Sequence, residues 1–281
     1  RHAHVGVSCI YCHQVAADSP MASQHLNPND SKVYMSALVS PAVCGRCHVD
    51  AKKQFDNSGH FRAYHQIIPK DNLHALVQVH EGQNLPDLKD APNETGCMQC
   101  HGTEIKLDDN NRPTKETWPN NGMGNIYPDG STGSCTSCHS RHRFDIAEAR
   151  KPAACASCHL GPDHPNIEIF NNSKHGHLYN TDGSNWKWGT APDAWEPGDY
   201  RGPTCATCHM SGIGELSVTH NVSERLYWNL WAKESKVRGS DDVLSPLLGD
   251  APAGREKIKW SVVTVTARPI PTTFSLRVTK R

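Results

Sequence analysis

The chain has 281 residues, of which 36% are hydrophobic, and its 29 acidic and 29 basic side chains balance. That hydrophobic share lies below the roughly 45–50% of typical soluble domains, so an ordinary apolar core is not expected. The balanced charge indicates no nucleic-acid partner, and no run of about 18 apolar residues exists that would span a membrane.

Six copies of the pattern Cys-x-x-Cys-His account for all twelve cysteines. We number them as motifs one to six in chain order: Cys9, Cys12 and His13; Cys44, Cys47 and His48; Cys97, Cys100 and His101; Cys135, Cys138 and His139; Cys155, Cys158 and His159; Cys205, Cys208 and His209. This spacing is the attachment signature of c-type haem, in which two thiols bind the haem and the next imidazole binds the iron. Zinc sites or disulfides are the alternatives, and the histidine after every second cysteine disfavours them. The sequence predicts six covalently bound c-type haems.

Along the chain, the pattern predicts short helices separated by loops rather than long regular elements. Helical character runs from Pro41 to Phe55, and the longest predicted helix runs from Ser223, as N-cap, to about Lys236. Only 20 residues separate the second cysteines of motifs four and five, so those two haems are expected to lie close together. The 21 glycines and 19 prolines favour loops that bend around flat cofactors. The predicted fold class is mainly α with much irregular loop, wrapped around covalent haems.

One loop, between residues 180 and 203, is rich in tryptophan. Trp186, Trp188 and Trp195 all lie in it, together with several glycines and prolines. Packing against a haem edge is the interpretation we favour, and contact with a substrate is the alternative.

Twelve histidines lie outside the motifs, which is many for a chain of this size. A haem used only for electron transfer is held by two protein ligands, so most of these haems need a second, distal histidine. The preferred candidates are His60, His142, His175 and His220, and a polar surface role is the alternative for each.

A separate candidate is the pair Asp163 and His164, in the sequence Gly-Pro-Asp-His-Pro. Flanking prolines hold this histidine in a rigid, non-helical turn, and an adjacent carboxylate orients an imidazole and raises its basicity. The pair is therefore a candidate catalytic acid and base. The alternative is a turn whose histidine is one more distal ligand.

Several stretches together resemble the hydroxylamine oxidoreductase family, which includes the hydrazine dehydrogenases of anaerobic ammonium oxidisers. They are residues 96–102, 128–142, 155–165, 173–176, 204–210 and 219–220, and the resemblance covers about residues 5 to 259. Members of that family carry eight haems, seven with two histidine ligands and one open, catalytic haem. The resemblance implies that this chain carries the second to seventh haems, with motif three holding the catalytic one. It also implies that Asp163 and His164 are the acid and base over that iron.

The resemblance further implies oxidation of a small nitrogen compound, hydroxylamine or hydrazine, with electrons passing to a soluble redox partner such as a cytochrome c. In the family a tyrosine of a neighbouring subunit cross-links to the catalytic haem, which implies a homotrimer for the full-length protein. No tyrosine of this chain matches that position. A reductive enzyme acting on nitrite or hydroxylamine is therefore an alternative, as is an electron-transfer cytochrome without catalysis. Covalent haem attachment outside the cytoplasm predicts the periplasm or an anammoxosome-type lumen.

The last residues differ from the rest in composition. Residues 261–281 contain no Cys, His, Gly, Asp or Glu, while Val, Thr and Arg are frequent. In a shifted reading frame, codons for residues 262–266 permit Cys-Gly-Asn-Cys-His. We therefore divide the chain into a cytochrome core at 1–259, incomplete at both ends, and a tail at 260–281 that is out of frame or disordered. Resequencing the DNA tests this, because an intact frame ending in a genuine stop codon would contradict it.

Overall fold

The structure is a computed structural model that describes residues 2–22, 33–67, 96–161, 164–212 and 217–225. Its α-helices in those ranges are α1 Cys9–His13, α2 Pro41–Gly45, α3 Val49–Asp56, α4 Ala63–Ile67, α5 Cys97–His101, α6 Ile146–Ala149, α7 Ala153–Ala156, α8 Asn166–Asn171, α9 Lys174–Asp182 and α10 Cys205–His209. Short 3-10 helices lie at His2–Val5, Cys135–Ser137, Gly183–Asn185, Pro192–Ala194 and Val222–Arg225. The two strands described are β1 Gln14–Val15 and β2 Tyr34–Met35, which pair antiparallel. The predicted fold class, mainly α with much irregular loop, is confirmed.

The helices are short, and the longest one described, α9, has nine residues. Helices below about 12–15 residues are marginal by themselves in water, so these depend on their caps and on packing. The Ser173 hydroxyl accepts from the Gly176 amide at 3.1 Å to begin α9, and the Asp145 carboxylate accepts from the Ala147 amide at 3.0 Å to begin α6. At α10, Thr204 and Thr207 cap each other reciprocally.

Two small apolar clusters, rather than one large core, lie in the described part of the chain. The first contains Met21, Leu38, Ile105 and Tyr127. The second contains Trp186, Trp188, Trp195 and Tyr200. Such limited apolar packing agrees with the low hydrophobic fraction of the sequence. Within the same ranges, no helix has the length and apolar character needed to cross a membrane.

The structure differs from the sequence prediction at both of the helices that were predicted. The segment from Pro41 to Phe55 is two helices, α2 and α3, because the chain leaves helical geometry at His48, with φ −95° and ψ 56°. Ser223 lies inside a 3-10 helix rather than at an N-cap, and its hydroxyl accepts a hydrogen bond from the Gly59 amide at 2.7 Å. The remainder of that predicted helix lies outside the described residues, as does the tail at 260–281.

Candidate haem centres

Each motif folds so that its two thiols and its imidazole lie within about one helical turn. The amide of the motif histidine donates to the carbonyl of the first cysteine, at 2.9 Å in motif two, 3.0 Å in motif four and 2.9 Å in motif five. Motifs one, three and six are themselves the helices α1, α5 and α10. None of the twelve cysteines forms a disulfide, so all the thiols remain available for bonds to a cofactor.

Three motif histidines are oriented by a hydrogen bond that their Nδ1–H group donates to an oxygen atom. The partners are the Ser36 carbonyl for His13 at 2.8 Å and the Ala63 carbonyl for His101 at 3.0 Å. For His159 the partner is the side-chain oxygen of Asn166, at 3.3 Å. A proton held on Nδ1 leaves the lone pair of Nε2 available to a metal, which is how most metal-binding histidines are arranged.

Five of the six motif histidines face a second histidine at a nearly constant distance. The ring centres are 6.1 Å apart for His13 and His142, 6.1 Å for His48 and His2, 6.3 Å for His101 and His164, 6.4 Å for His139 and His220, and 6.2 Å for His159 and His60. Two imidazoles on opposite sides of one metal ion, each with a metal–nitrogen bond of about 2.0–2.1 Å, have ring centres roughly 6 Å apart. The residues present therefore fit the haems that the motifs imply.

Two of the histidines that face a motif histidine are buried, and burial favours the neutral imidazole, which is the form that binds a metal. Burial, together with the nearby His159, lowers the pKa of His60 to about 4. Burial and the neighbouring His139 lower the pKa of His220 to about 4 in the same way. Both imidazoles are therefore neutral near pH 7, with a lone pair free for coordination.

The motifs approach one another through their cysteines. Three pairs of thiols lie close enough together to shift one another's pKa: Cys44 with Cys135, Cys155 with Cys205, and Cys100 with Cys158. These contacts link motif two to four, five to six, and three to five.

Two further pairs of motifs interact through their cysteines: four with five, and one with two. Burial and the charge of Cys158 raise the pKa of Cys138 to about 11, which places motif four beside motif five. Burial and the charge of Cys44 likewise raise the pKa of Cys12, which places motif one beside motif two. A path therefore runs through motifs one, two, four, five and six, with motif three joined to it at motif five.

Motif three is held by a buried segment that follows it in sequence. Asn125, fully buried, accepts from the Thr103 amide at 2.9 Å and donates to the Asn120 carbonyl at 2.9 Å. The Asn120 side chain in turn donates to the Met98 carbonyl at 3.0 Å.

Glycine is required where this segment meets the motif. Gly102 has φ +96°, and a Cβ on Gly122 would overlap the backbone of Gly102. The amides of Met123 and Gly124 donate to the carbonyls of Cys100 at 2.8 Å and His101 at 3.1 Å. Hydrogen bonds from the segment that follows therefore hold the backbone of motif three both near its start, at Met98, and at its end, at Cys100 and His101.

Comparison with known proteins finds multihaem cytochromes. A family profile described as "Seven times multi-haem cytochrome CxxCH" matches residues 129–242, and one described as "Cytochrome c3" matches residues 71–160. A Kuenenia stuttgartiensis protein named "Probable nitrite reductase-hydroxylamine oxidoreductase fusion protein" is 30% identical over 262 residues, covering 74% of this chain and 30% of that protein. The acrylate reductase cytochrome subunit of Shewanella woodyi is 31% identical over 96 residues, covering 34% of this chain and 75% of that protein. A solved structure named "Hypothetical multiheme protein" superposes with a TM-score of 0.64 at 32% identity, covering 77% of this chain and 44% of that one.

The chain is a multihaem c-type cytochrome. The six motifs, their paired histidines and the two family profiles agree on this. The cytochrome spans only 30% of the length of the first curated relative it matches, so that relative's complete activity does not transfer to it directly.

The histidines selected from the sequence differ in their surroundings. His60, His142 and His220 each face a motif histidine at the ring separations given above. His175 lies exposed in α9, and no ring partner is described for it. His2 faces His48 although sequence reasoning did not select it; its position at the start of the chain carried no distinguishing pattern.

His164 is exposed and lies between two motif histidines of this cytochrome. Its ring centre is 6.3 Å from that of His101 and also 6.3 Å from that of His159. Its predicted catalytic partner, Asp163, lies outside the described residues.

The three tryptophans pack chiefly on one another and on neighbouring aromatic rings. The ring centres of Trp195 and Tyr200 are 4.5 Å apart, and those of Trp186 and Trp188 are 5.3 Å apart. The buried Arg150 lies over Trp195 at 4.4 Å and donates to the Trp188 carbonyl at 2.7 Å. The loop therefore forms a core of its own, a role that neither interpretation of its sequence included.

Proposed function

We propose that this cytochrome is part of an oxidoreductase that acts on a small nitrogen compound, hydroxylamine or hydrazine, and passes the electrons along six haems. The observation that carries the proposal is that all six motifs lie near one another through their cysteines. Electron transfer requires closely spaced cofactors. A row of haems with one side branch, at motif three, is the arrangement expected when one catalytic haem passes its electrons to the others. The name of the 30% identical relative from Kuenenia stuttgartiensis supports the nitrogen substrate.

The residues that would hold each haem are the two cysteines and the histidine of its motif. Distal ligation is proposed for His60, His142 and His220 from the ring separations above, and for His175 from the sequence alone. Bound haem supplies electron storage and, where one axial position is open, a place for a small ligand.

The chain's own part in the chemistry concerns protons. Oxidation of hydroxylamine or hydrazine releases protons together with electrons, so a base must lie beside the substrate. Asp163 and His164 are proposed for this role at motif three. The exposed position of His164, facing His101, would put an imidazole between solvent and the reacting centre. An imidazole exchanges protons readily near neutral pH.

A second candidate function is electron transfer without catalysis, and one observation favours it. His101 and His164 have the same ring separation as the other four histidine pairs, which is the separation expected when both imidazoles bind one iron. In that case motif three has no open position.

Carbon monoxide binding to the fully reduced protein separates the two functions. The catalytic proposal expects one of six haems to bind carbon monoxide in the natural protein. The electron-transfer function expects none, and expects one in His164→Ala, because removal of an axial ligand opens that iron. His177→Ala, an exposed histidine of α9, is the matched control and is expected to leave binding unchanged.

The direction of the reaction is tested by activity. We propose oxidation, with a soluble cytochrome c as acceptor, in a homotrimeric full-length protein outside the cytoplasm. Hydroxylamine or hydrazine is supplied with oxidised cytochrome c in one assay, and nitrite with a reduced donor in the other. Turnover only in the second assay would replace the oxidative function by the reductive one.

A further inference from the structure

Asn166 lies at the start of helix α8, directly beside motif five. Its side-chain oxygen accepts the hydrogen bond from Nδ1 of His159, the histidine of that motif, at 3.3 Å. The next amide in the helix, that of Ile167, donates to the His159 carbonyl at 3.1 Å. The Glu168 carboxylate accepts from the Gly161 amide at 3.0 Å. The backbone that carries Asn166 is therefore itself attached to motif five, which holds the side-chain oxygen beside the imidazole.

The acceptor at motif five differs in kind from the acceptors at motifs one and three. His13 and His101 donate to backbone carbonyls, those of Ser36 at 2.8 Å and Ala63 at 3.0 Å. Every residue type carries a backbone carbonyl, so those two hydrogen bonds do not depend on which side chain is present. At motif five the acceptor is a side-chain amide, so the bond depends on the residue being an asparagine.

Asn166 also fixes the backbone of His164, the residue that faces motif three. Its amide donates to the His164 carbonyl at 2.7 Å across Pro165, whose φ of −74° and ψ of 39° turn the chain there. The ring centre of His164 lies 6.3 Å from that of His159 and 6.3 Å from that of His101. Asn166 therefore lies at the place where motif three and motif five meet.

A hydrogen bond at Nδ1 of an iron-bound imidazole changes the electron donation from Nε2. A stronger acceptor draws the Nδ1 proton away from the ring, which makes the imidazole a more basic ligand. A more basic ligand favours oxidised iron, because that state carries one more positive charge, so the reduction potential falls. The amide oxygen of asparagine is a neutral acceptor and its contact is long, whereas a carboxylate forms a shorter and stronger hydrogen bond.

We propose that Asn166 is a positioning residue for the haem of motif five: its side-chain oxygen fixes the orientation of the His159 ring and sets the reduction potential of that haem. Motif five is where the branch from motif three meets the row of haems, so this potential determines how readily electrons leave motif three. A neutral acceptor makes the haem of motif five easier to reduce than a carboxylate would. The inference rests on the proposed haem path, but not on the substrate, since a reduction potential is an equilibrium property.

The experiment is a redox titration of the full haem-loaded chain, followed by visible and EPR spectra that resolve the separate haems. Asn166→Asp keeps the shape of the side chain and supplies a charged acceptor, so one haem is expected to shift to lower potential. Asn166→Leu has no acceptor and its apolar side chain keeps water from Nδ1, so the same haem is expected to shift to higher potential. A merely structural role would not move the potential in opposite directions.

Asn172→Asp is the matched control, because it adds the same charge just after the other end of α8. Asn172 is exposed, and its side chain donates to the Glu168 carbonyl at 2.8 Å rather than accepting from an imidazole. Solvent and salt screen an exposed charge, so this variant is expected to leave every potential unchanged. A shift equal to that of Asn166→Asp would show that charge alone is responsible and would overturn the inference.

Two other results would also overturn the inference. They are unshifted potentials in Asn166→Asp with all its haems bound, and shifts of the same sign in the two Asn166 variants. If Asn166→Leu does not fold or loses haem, the comparison of Asn166→Asp with Asn172→Asp decides, since both keep the shape of the side chain. Carbon monoxide binding is expected to be the same in Asn166→Asp as in the natural protein, which keeps this test separate from that of the proposed function.

Discussion

Replacing Asn125 by alanine tests the buried segment that holds motif three. The side chain accepts from the Thr103 amide and donates to the Asn120 carbonyl, both at 2.9 Å, and it is fully buried. The alanine variant leaves both of these partners buried without the bond. A buried donor or acceptor that loses its partner costs about 1–3 kcal/mol, so the free energy of unfolding is expected to fall by about 2–6 kcal/mol.

Urea denaturation followed by circular dichroism measures this change. With a denaturant slope of about 2 kcal/mol per molar urea, the midpoint is expected to fall by roughly 1–3 M. Asn172→Ala is the control, since its side chain also donates to a carbonyl, that of Glu168 at 2.8 Å, but is exposed. That variant is expected to change stability by less than about 0.5 kcal/mol. Equal midpoints for the two variants would show that the segment does not hold motif three as described.

Three further predictions concern the haems and their supports. Mass spectrometry of the intact chain is expected to show six haem additions, and four or fewer would contradict the count. His60→Ala and His142→Ala are each expected to convert one low-spin haem to high-spin in the visible and EPR spectra, because each removes a proposed axial ligand; His177→Ala is expected to leave the spectra unchanged. Gly122→Ala is expected to lower the urea midpoint strongly, because its methyl group would overlap the backbone of Gly102 next to motif three. Gly202→Ala is the control: its methyl group meets nothing closer than 3.3 Å, so a small effect is expected. Similar midpoints for the two variants would refute the overlap.

The sequence alone predicted the fold class, which the structure confirms, and it predicts a proximal site for each of six haems. Two thiols and an imidazole within five residues form a local pattern, so no folding information is needed to recognise it. Helix starts such as Ser173 can be recognised in the same local way, because a cap acts within one turn of its helix. The break at His48 shows the limit of such patterns, since the helical character of the surrounding residues did not reveal it.

Only the tertiary structure decided which distant residues meet. His142 faces His13 across 129 positions of the chain, and His220 faces His139 across 81. No local pattern records such a pairing, and His2 shows that a histidine without any pattern can take the same place. Local chemistry therefore predicts where haems attach, while long-range packing decides which histidine lies opposite each motif histidine.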